Sequence, residues 1–265
     1  MRKAIDGLVL RVIQSGDNDR RLLVLTADEG KMWVTAKGAR SVRSKVASLC
    51  RIFTYANMEM YEKNGLRWLS GGSVNNSFLS MGADVSDFAL ASYILQVADE
   101  ITGEDTPADE VLRMTLNTLY AIEKHIAPRA QIKAVYELFA ANVSGFMPSL
   151  EGCADCERSD FSGSELWLDV MNGAVHCGEC LKKRGGDLPL PATDEYFTRN
   201  ILLLLDSSAL EAMRYVAAAP PQRIFAFGLT DKRSLELLSK AAETYLLNHL
   251  ERDFDTLRFY NSLKD

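Results

Sequence analysis

The chain has 265 residues, 47% hydrophobic and 25% charged, with a formal net charge of −6, which is ordinary for a soluble globular protein of one large or two modest domains. No apolar run spans a membrane: the longest beyond the N-terminus is Ile201–Leu205, and Asp6 and Arg11 bracket too short a run for a signal peptide. A cytoplasmic location is therefore expected, where disulfides are rare.

The charge is divided unevenly. Residues 1–80 hold 13 of the 30 Lys and Arg but only 7 of the 36 Asp and Glu, so this part carries +6 and the remainder −12. Opposite signs in two regions suggest two domains with different partners.

The first 75 residues predict strands. Ile5–Ile13 is apolar and rich in β-branched residues. Arg21–Thr26 and Lys31–Ala36 flank Asp28-Glu29-Gly30, a hairpin signal. Arg51–Tyr61 alternates, with Ile52, Thr54, Ala56, Met58 and Met60 on one face and Phe53, Tyr55, Asn57, Glu59 and Tyr61 on the other. Asn64-Gly65 marks a second hairpin leading into Leu66–Leu69. Five short strands fit a small closed barrel, of which the OB-fold is the commonest, or a half-open sandwich.

After Gly82 the period becomes helical. Phe88, Ala91, Ile94, Leu95, Ala98 and Ile101 share one face. Thr106-Pro107 predicts the next helix start, with Thr as N-cap and Pro at the first position. Its stripe is Val111, Leu112, Leu116, Leu119 and Ile122. Pro128 opens a third helix carrying Ile132, Val135, Tyr136 and Phe139 and ending at Gly145. Residues 146–190 break the pattern. Helices are expected to resume at Thr193, with Phe197, Ile201, Leu204 and Leu205, and a last long helix runs from about Asp231.

The interruption holds CADC at 153–156 and CGEC at 177–180. Cys153, Cys156, Cys177 and Cys180 can supply the tetrahedral all-sulfur shell that zinc accepts, with Gly152, Gly173 and Gly178 giving the tight turns. A loop-rich segment with little core of its own gains stability from such a metal. The competing reading is two reduced dithiols or a redox pair, which would want a βαβ context. His176 could replace one thiolate. No catalytic-zinc pattern is present, and Cys50 is expected in the core.

Residues 37–45 read KGARSVRSK, between the third and fourth strands. Lys37, Arg40, Arg43 and Lys45 can neutralise phosphates there, and Arg20 and Arg21 would extend the patch. Trp33, Phe53, Tyr55, Tyr61 and Trp68 lie on neighbouring strands, where exposed aromatics would stack unpaired bases. The plainer reading makes each aromatic a core residue and the loop a solvated turn.

The opening IDGLVLRV, then LLVLTADEG and KGARSVRSK, resembles the start of the RecO family of bacterial recombination mediators. Tyr136-Glu137-Leu138, Gly145-Phe146-Met147-Pro148 and the two Cys-x2-Cys pairs continue the resemblance to about residue 184, with Asn172 where a Gly is common in the family. The resemblance implies fold class α+β: an N-terminal five-stranded OB-fold barrel in residues 1–80, then an all-helical domain in 81–265 with a zinc-binding insert at about 150–184. It implies binding of single- and double-stranded DNA, annealing of complementary strands, and a complex with RecR that helps load RecA onto DNA coated by single-strand binding protein. It further implies that the helical domain contacts the acidic, hydrophobic tail of single-strand binding protein. A basic residue before the aromatic-Glu-Leu helix serves that contact in some members, and Lys133 is the nearest candidate, with Arg129 one turn earlier. More prosaically, Lys133 would sit on a solvated face.

Two other readings compete. An enzyme with a zinc-stabilised helical domain lacks a constellation: there is no P-loop, and none of His125, His176 and His249 pairs in sequence with a nucleophile. A zinc-containing protein-interaction adaptor without DNA binding would be indifferent to charge reversal in the 37–45 loop.

Overall fold

The computed structural model describes residues 2–161, 165–183 and 201–263. Two compact units divide them: the chain up to Lys124 together with the residues from Thr256, and His125–Asp255. The first unit thus joins three α-helical segments to the strands, the last of them from Thr256 on, although the change of period falls near residue 80.

Five strands form a closed barrel in the order β1-β2-β3-β5-β4: β1 Arg2–Ser15, β2 Asp19–Thr26, β3 Gly30–Ala36, β4 Thr54–Lys63 and β5 Leu66–Ser77. All neighbours are antiparallel except β3 and β5, and β1 closes on β4. This is the OB-fold barrel, and closure leaves no free sheet edge. Alternation does the sorting. Met32, Val34 and Ala36 of β3 and Thr54, Ala56, Met58 and Met60 of β4 are all buried. The expected Asn64-Gly65 hairpin turn forms with both residues at positive φ, 54° and 71°, as a tight two-residue loop requires. Gly30 is also at positive φ, and a Cβ there would lie 2.4 Å from the carbonyl oxygens of Gly103 and Thr106.

β4 starts later than the alternation suggests. Phe53 has φ 65° and is fully buried, with its N–H donating to the Val9 carbonyl and its ring edge-on to Phe88 at 5.4 Å. The reversal takes Phe53 off the outer face to which period two assigned it. Cys50 lies in the short turn before it and is buried as expected.

Helix α1, Val85–Ile101, is capped by the Asp84 carboxylate, which accepts from the N–H groups of Ser86 and Asp87. Helix α2, Asp109–Glu123, begins after Ala108 rather than at Pro107. Thr106 does not cap it: its hydroxyl donates to the Glu104 carbonyl, and the Ala108 N–H is held by Ala27 on the barrel at 2.7 Å. A tertiary contact thus displaces the start that Thr-Pro chemistry favours.

In the second unit α3, Arg129–Val143, is buried without interruption from Gln131 to Ala141. A helix buried all round is a core helix. It packs with α5, Ser207–Ala218, and α6, Lys232–Leu250. The 146–190 interruption is less irregular than expected. It contributes three strands, β6 Ser149–Cys153, β7 Leu166–Asp169 and β8 Ala174–Cys177, and the short helix α4, Gly178–Lys183. A fourth strand, β9 Leu202–Leu205, completes the sheet in the order β6-β8-β7-β9.

Two expectations are corrected here. The domain is not all-helical, and Leu204 and Leu205 lie on a strand. Pairing with β7 decides it, and Ile201, Leu203 and Leu205 are buried at period two. Thr193 and Phe197 lie outside the described residues. A final helix α7, Asp255–Ser262, has no forecast in the periodicity. No described helix is long and apolar enough to cross a membrane.

Candidate nucleic-acid interface and metal centre

The basic loop is a built structure. The Gly38 N–H donates to the Asp19 carboxylate at 2.8 Å, the Arg40 N–H to the Asn18 carbonyl at 3.0 Å, and the Arg40 guanidinium to the Asp17 carbonyl at 2.9 Å. Ala39 is buried beneath these ties. The Ser41 and Ser44 N–H groups then turn the chain back on the carbonyls of Gly38 and Ser41. The β1–β2 turn therefore holds the loop, while Lys37, Arg40, Arg43 and Lys45 remain exposed.

Beside it, strand register assembles an outward row. Tyr61 of β4 is opposite Trp68 of β5, Trp68 opposite Thr35 of β3, and Thr35 opposite Arg21 of β2. Residues in register point the same way, so the four lie across one outer face. Lys37 Nζ sits 5.4 Å over the Trp68 ring and the Arg21 guanidinium 4.9 Å over Trp33. Each such contact contributes about 0.5–1 kcal/mol at exposed sites. A cleft of about 190 Å³ is lined by Lys37, Tyr61, Lys63, Asn64, Leu66 and Trp68. Cations beside exposed aromatic faces suit a polyanion whose bases are unpaired.

Trp33, Tyr61 and Trp68 are brought together; Phe53 is withdrawn into the core, and Tyr55 is half-buried on β4. Arg20 and Arg21, adjacent in sequence, are not in one patch. Arg20 is half-buried and donates to the Cys50 carbonyl at 2.9 Å. Lys63 belongs to the cleft but carried no signal in the sequence beyond its place before the Asn64-Gly65 turn.

The cysteines converge. β6 ends at Cys153, the following turn carries Cys156, β8 ends at Cys177, and α4 carries Cys180. All four Sγ atoms lie within 4.8 Å of one another, and Cys156 and Cys177 are 3.9 Å apart. A tetrahedral ion with metal–sulfur bonds of about 2.3 Å has sulfur–sulfur edges of about 3.8 Å.

Electrostatics agrees with that geometry. Burial pushes the Cys153 thiol up, but the backbone N–H groups of Cys177, Asp155 and Cys156 outweigh it and bring it down to about 6. Cys180 is pushed up to about 12, first by its hydrogen bond to Cys177, then by burial and its contacts with Cys156 and Cys153. Four thiols so close resist full ionisation until a cation lies among them. The donor set therefore fits zinc. His176 is not needed as a ligand: its ring is buried and its Nδ1 lies 2.8 Å from the Asp155 carboxylate.

Lys133 corrects a placement. It is neither on a solvated face nor presented to a peptide, because its side chain is fully buried. Its Nζ lies 2.8 and 3.0 Å from the two Glu137 oxygens and 2.7 Å from Glu243 on α6. Burial pulls its pKa down, but the two carboxylates outweigh that and raise it above the ordinary lysine value. Helical spacing placed Lys133 and Glu137 one turn apart; that the turn is interior follows from α5 and α6 covering α3. Arg129 is half-buried in the first turn of α3.

Comparison with known proteins bears on both sites. The family model for the N-terminal part of recombination protein O matches residues 1–78, and that for its C-terminal part matches residues 82–258. The chain is 29% identical over 264 residues to the DNA repair protein RecO of Anaeromyxobacter dehalogenans, covering 99% of this chain and 97% of that one. It is 27% identical over 262 residues to that of Symbiobacterium thermophilum, covering 98% and 97%. With that of Acetivibrio thermocellus the identity is 22% over 257 residues, covering 97% and 95%.

Proposed function

The chain belongs to the recombination protein O family of DNA repair proteins, and from that premise we propose that it is a non-enzymatic mediator of homologous recombination. It binds single- and double-stranded DNA through the barrel and anneals complementary strands. With RecR it helps load RecA onto DNA coated by single-strand binding protein. Its place is the cytoplasm, at the nucleoid. Zinc on Cys153, Cys156, Cys177 and Cys180 is structural: it ties β6, β8 and α4 together and leaves no coordination position open for chemistry.

One observation carries the DNA reading. An anchored loop presents Lys37, Arg40, Arg43 and Lys45 beside the outward row of exposed Tyr61 and Arg21 and half-buried Trp68. Phosphates would meet the loop and bases would stack on the row, so little sequence preference is expected. Contact with the acidic tail of single-strand binding protein falls to the second unit, where Arg129 rather than the buried Lys133 is the basic residue near the surface.

The test is equilibrium binding of a fluorescent single strand across a salt series, for the wild type and for Lys37, Arg40, Arg43 and Lys45 all changed to Glu. Four phosphate contacts predict a log–log slope of about −3. The wild type should show it and the folded variant should not bind. Equal binding by both would remove the loop from the site. If the wild type binds nothing at low salt, the adaptor reading, a zinc-containing interaction protein without DNA binding, replaces this one.

A further inference from the structure

Alternation along β2 sends Arg20 and Arg21 to opposite sides of the strand. Arg21 goes to the outer row over Trp33, whereas Arg20 turns towards Cys50. There it joins Arg11 and Arg51 around a groove of about 570 Å³ floored by Val12, Ile52 and Leu79. The groove and the basic loop are consecutive in the chain: the loop runs from Lys37 to Lys45, and residues 50–52 line the groove.

The two surfaces differ in one chemical respect. The outer row offers aromatic rings; among the described residues no aromatic side chain lines the groove. Bases that meet no flat ring gain little by turning inward. Guanidinium groups over an aliphatic floor instead match a sugar–phosphate backbone, with phosphates paired to the arginines and deoxyribose faces on the floor. The three cations are not equally available. Arg11 pairs with Asp99, and Arg20 is tied to Cys50. Arg51 is exposed and makes no hydrogen bond or ion pair among the described residues.

We infer that the groove of Arg11, Arg20 and Arg51 is a second nucleic-acid site, which holds another DNA strand by its backbone with its bases facing out. The inference rests on the DNA-annealing reading above. The first strand is stacked on Trp68 and Tyr61, the second is displayed from the groove, and the basic loop joins the two in the chain, from Lys37 of the cleft towards residues 50–52 of the groove. Two strands on one protein meet at a raised effective concentration, and a strand held by its backbone keeps its pairing edges free.

The experiment uses the full chain and two non-complementary oligonucleotides, one labelled with a donor and one with an acceptor. Energy transfer reports a complex with both strands, and complementary strands give the annealing rate. In Arg51→Glu, first-strand affinity should stay within about threefold of wild type, while energy transfer and annealing rate fall about tenfold or more. Arg51→Gln should move both in the same direction by less, and thermal melting checks that each variant folds. Two results overturn the inference while the DNA reading stands. Affinity for the first strand falling in step with annealing would make the groove part of the first site. An unchanged annealing rate would mean that the groove holds no DNA, and a labelled Asp-rich peptide that binds wild type but not Arg51→Glu would then assign it to an acidic protein segment. Failure of the wild type to bind even a first strand overturns both, and shows separately.

Discussion

Lys37 and Lys133 show two uses of the same cation. Lys37 is exposed beside the Trp68 ring, in a loop whose backbone is fixed by Asn18 and Asp19. Lys133 is sealed in the second unit between Glu137 and Glu243. In the barrel, backbone ties do the structural work and leave charge free for an anion. In α3 the charge itself is part of the core. A charge held in water interacts weakly and is screened by salt, whereas one removed from water must be matched where it lies. Charge patterning along a chain thus reports on function only once burial is known.

The contrast is sharpened most by removing the metal. Trp167 lies buried on β7, and it becomes the sole tryptophan when Trp33 and Trp68 are replaced by Phe. Zinc binding contributes on the order of 10 kcal/mol to the folding of small zinc modules. Chelation, or Cys177→Ser, should therefore red-shift Trp167 emission and lower the melting temperature of the second unit. The isolated effect on barrel DNA affinity, measured with Trp33 and Trp68 intact, should be small. Unchanged Trp167 emission after complete zinc loss would show that the sheet stands without the ion.

A smaller loss is expected from Lys133→Met, which removes the cation from the fully buried Glu137 and the partly buried Glu243 and should cost about 3–5 kcal/mol in denaturant unfolding. Affinity for a single strand should not change, in contrast with the loop variant. Because the folded pKa of Lys133 is raised, its contribution is complete below the ordinary lysine pKa and is lost as pH rises through the folded value. Wild type and Lys133→Met should therefore converge in stability only in strongly alkaline solution. A variant with wild-type stability would show that the buried pairing of Lys133 contributes nothing net to the fold.

The smallest effect separates display from mere exposure. Trp68→Ala should weaken single-strand binding by about 1–3 kcal/mol for the base it stacks. Tyr120 on α2 is exposed and also lies near a cation, Lys124, yet it does not line the cleft of Tyr61 and Trp68, so Tyr120→Ala should leave affinity unchanged. Equal losses for both would mean that the row has no special role.

Much was legible in local patterns. The five strands, the Asn64-Gly65 turn, the start of α6 at Asp231 and the four cysteines all follow from interactions within a few residues. Cys-x2-Cys spacing alone brings two sulfurs to one point, and two such pairs need only meet. The errors share a cause. The Leu202–Leu205 run has no period that separates a strand from a helix, and its partner β7 lies more than thirty residues earlier. Pro107 could have opened α2, but the barrel holds the Ala108 N–H.

Residue order alone carried the resemblance to the family, the five strands, the two cysteine pairs and the position of the basic loop, because each rests on short-range patterns. Closure of the barrel, convergence of the cysteines and the choice of which cations face water came from long-range packing. It split Arg20 from Arg21, sank Lys133, and set Tyr61, Trp68 and Thr35 side by side from three strands. Burial and register are sums over distant parts of the chain, and no window of sequence contains them.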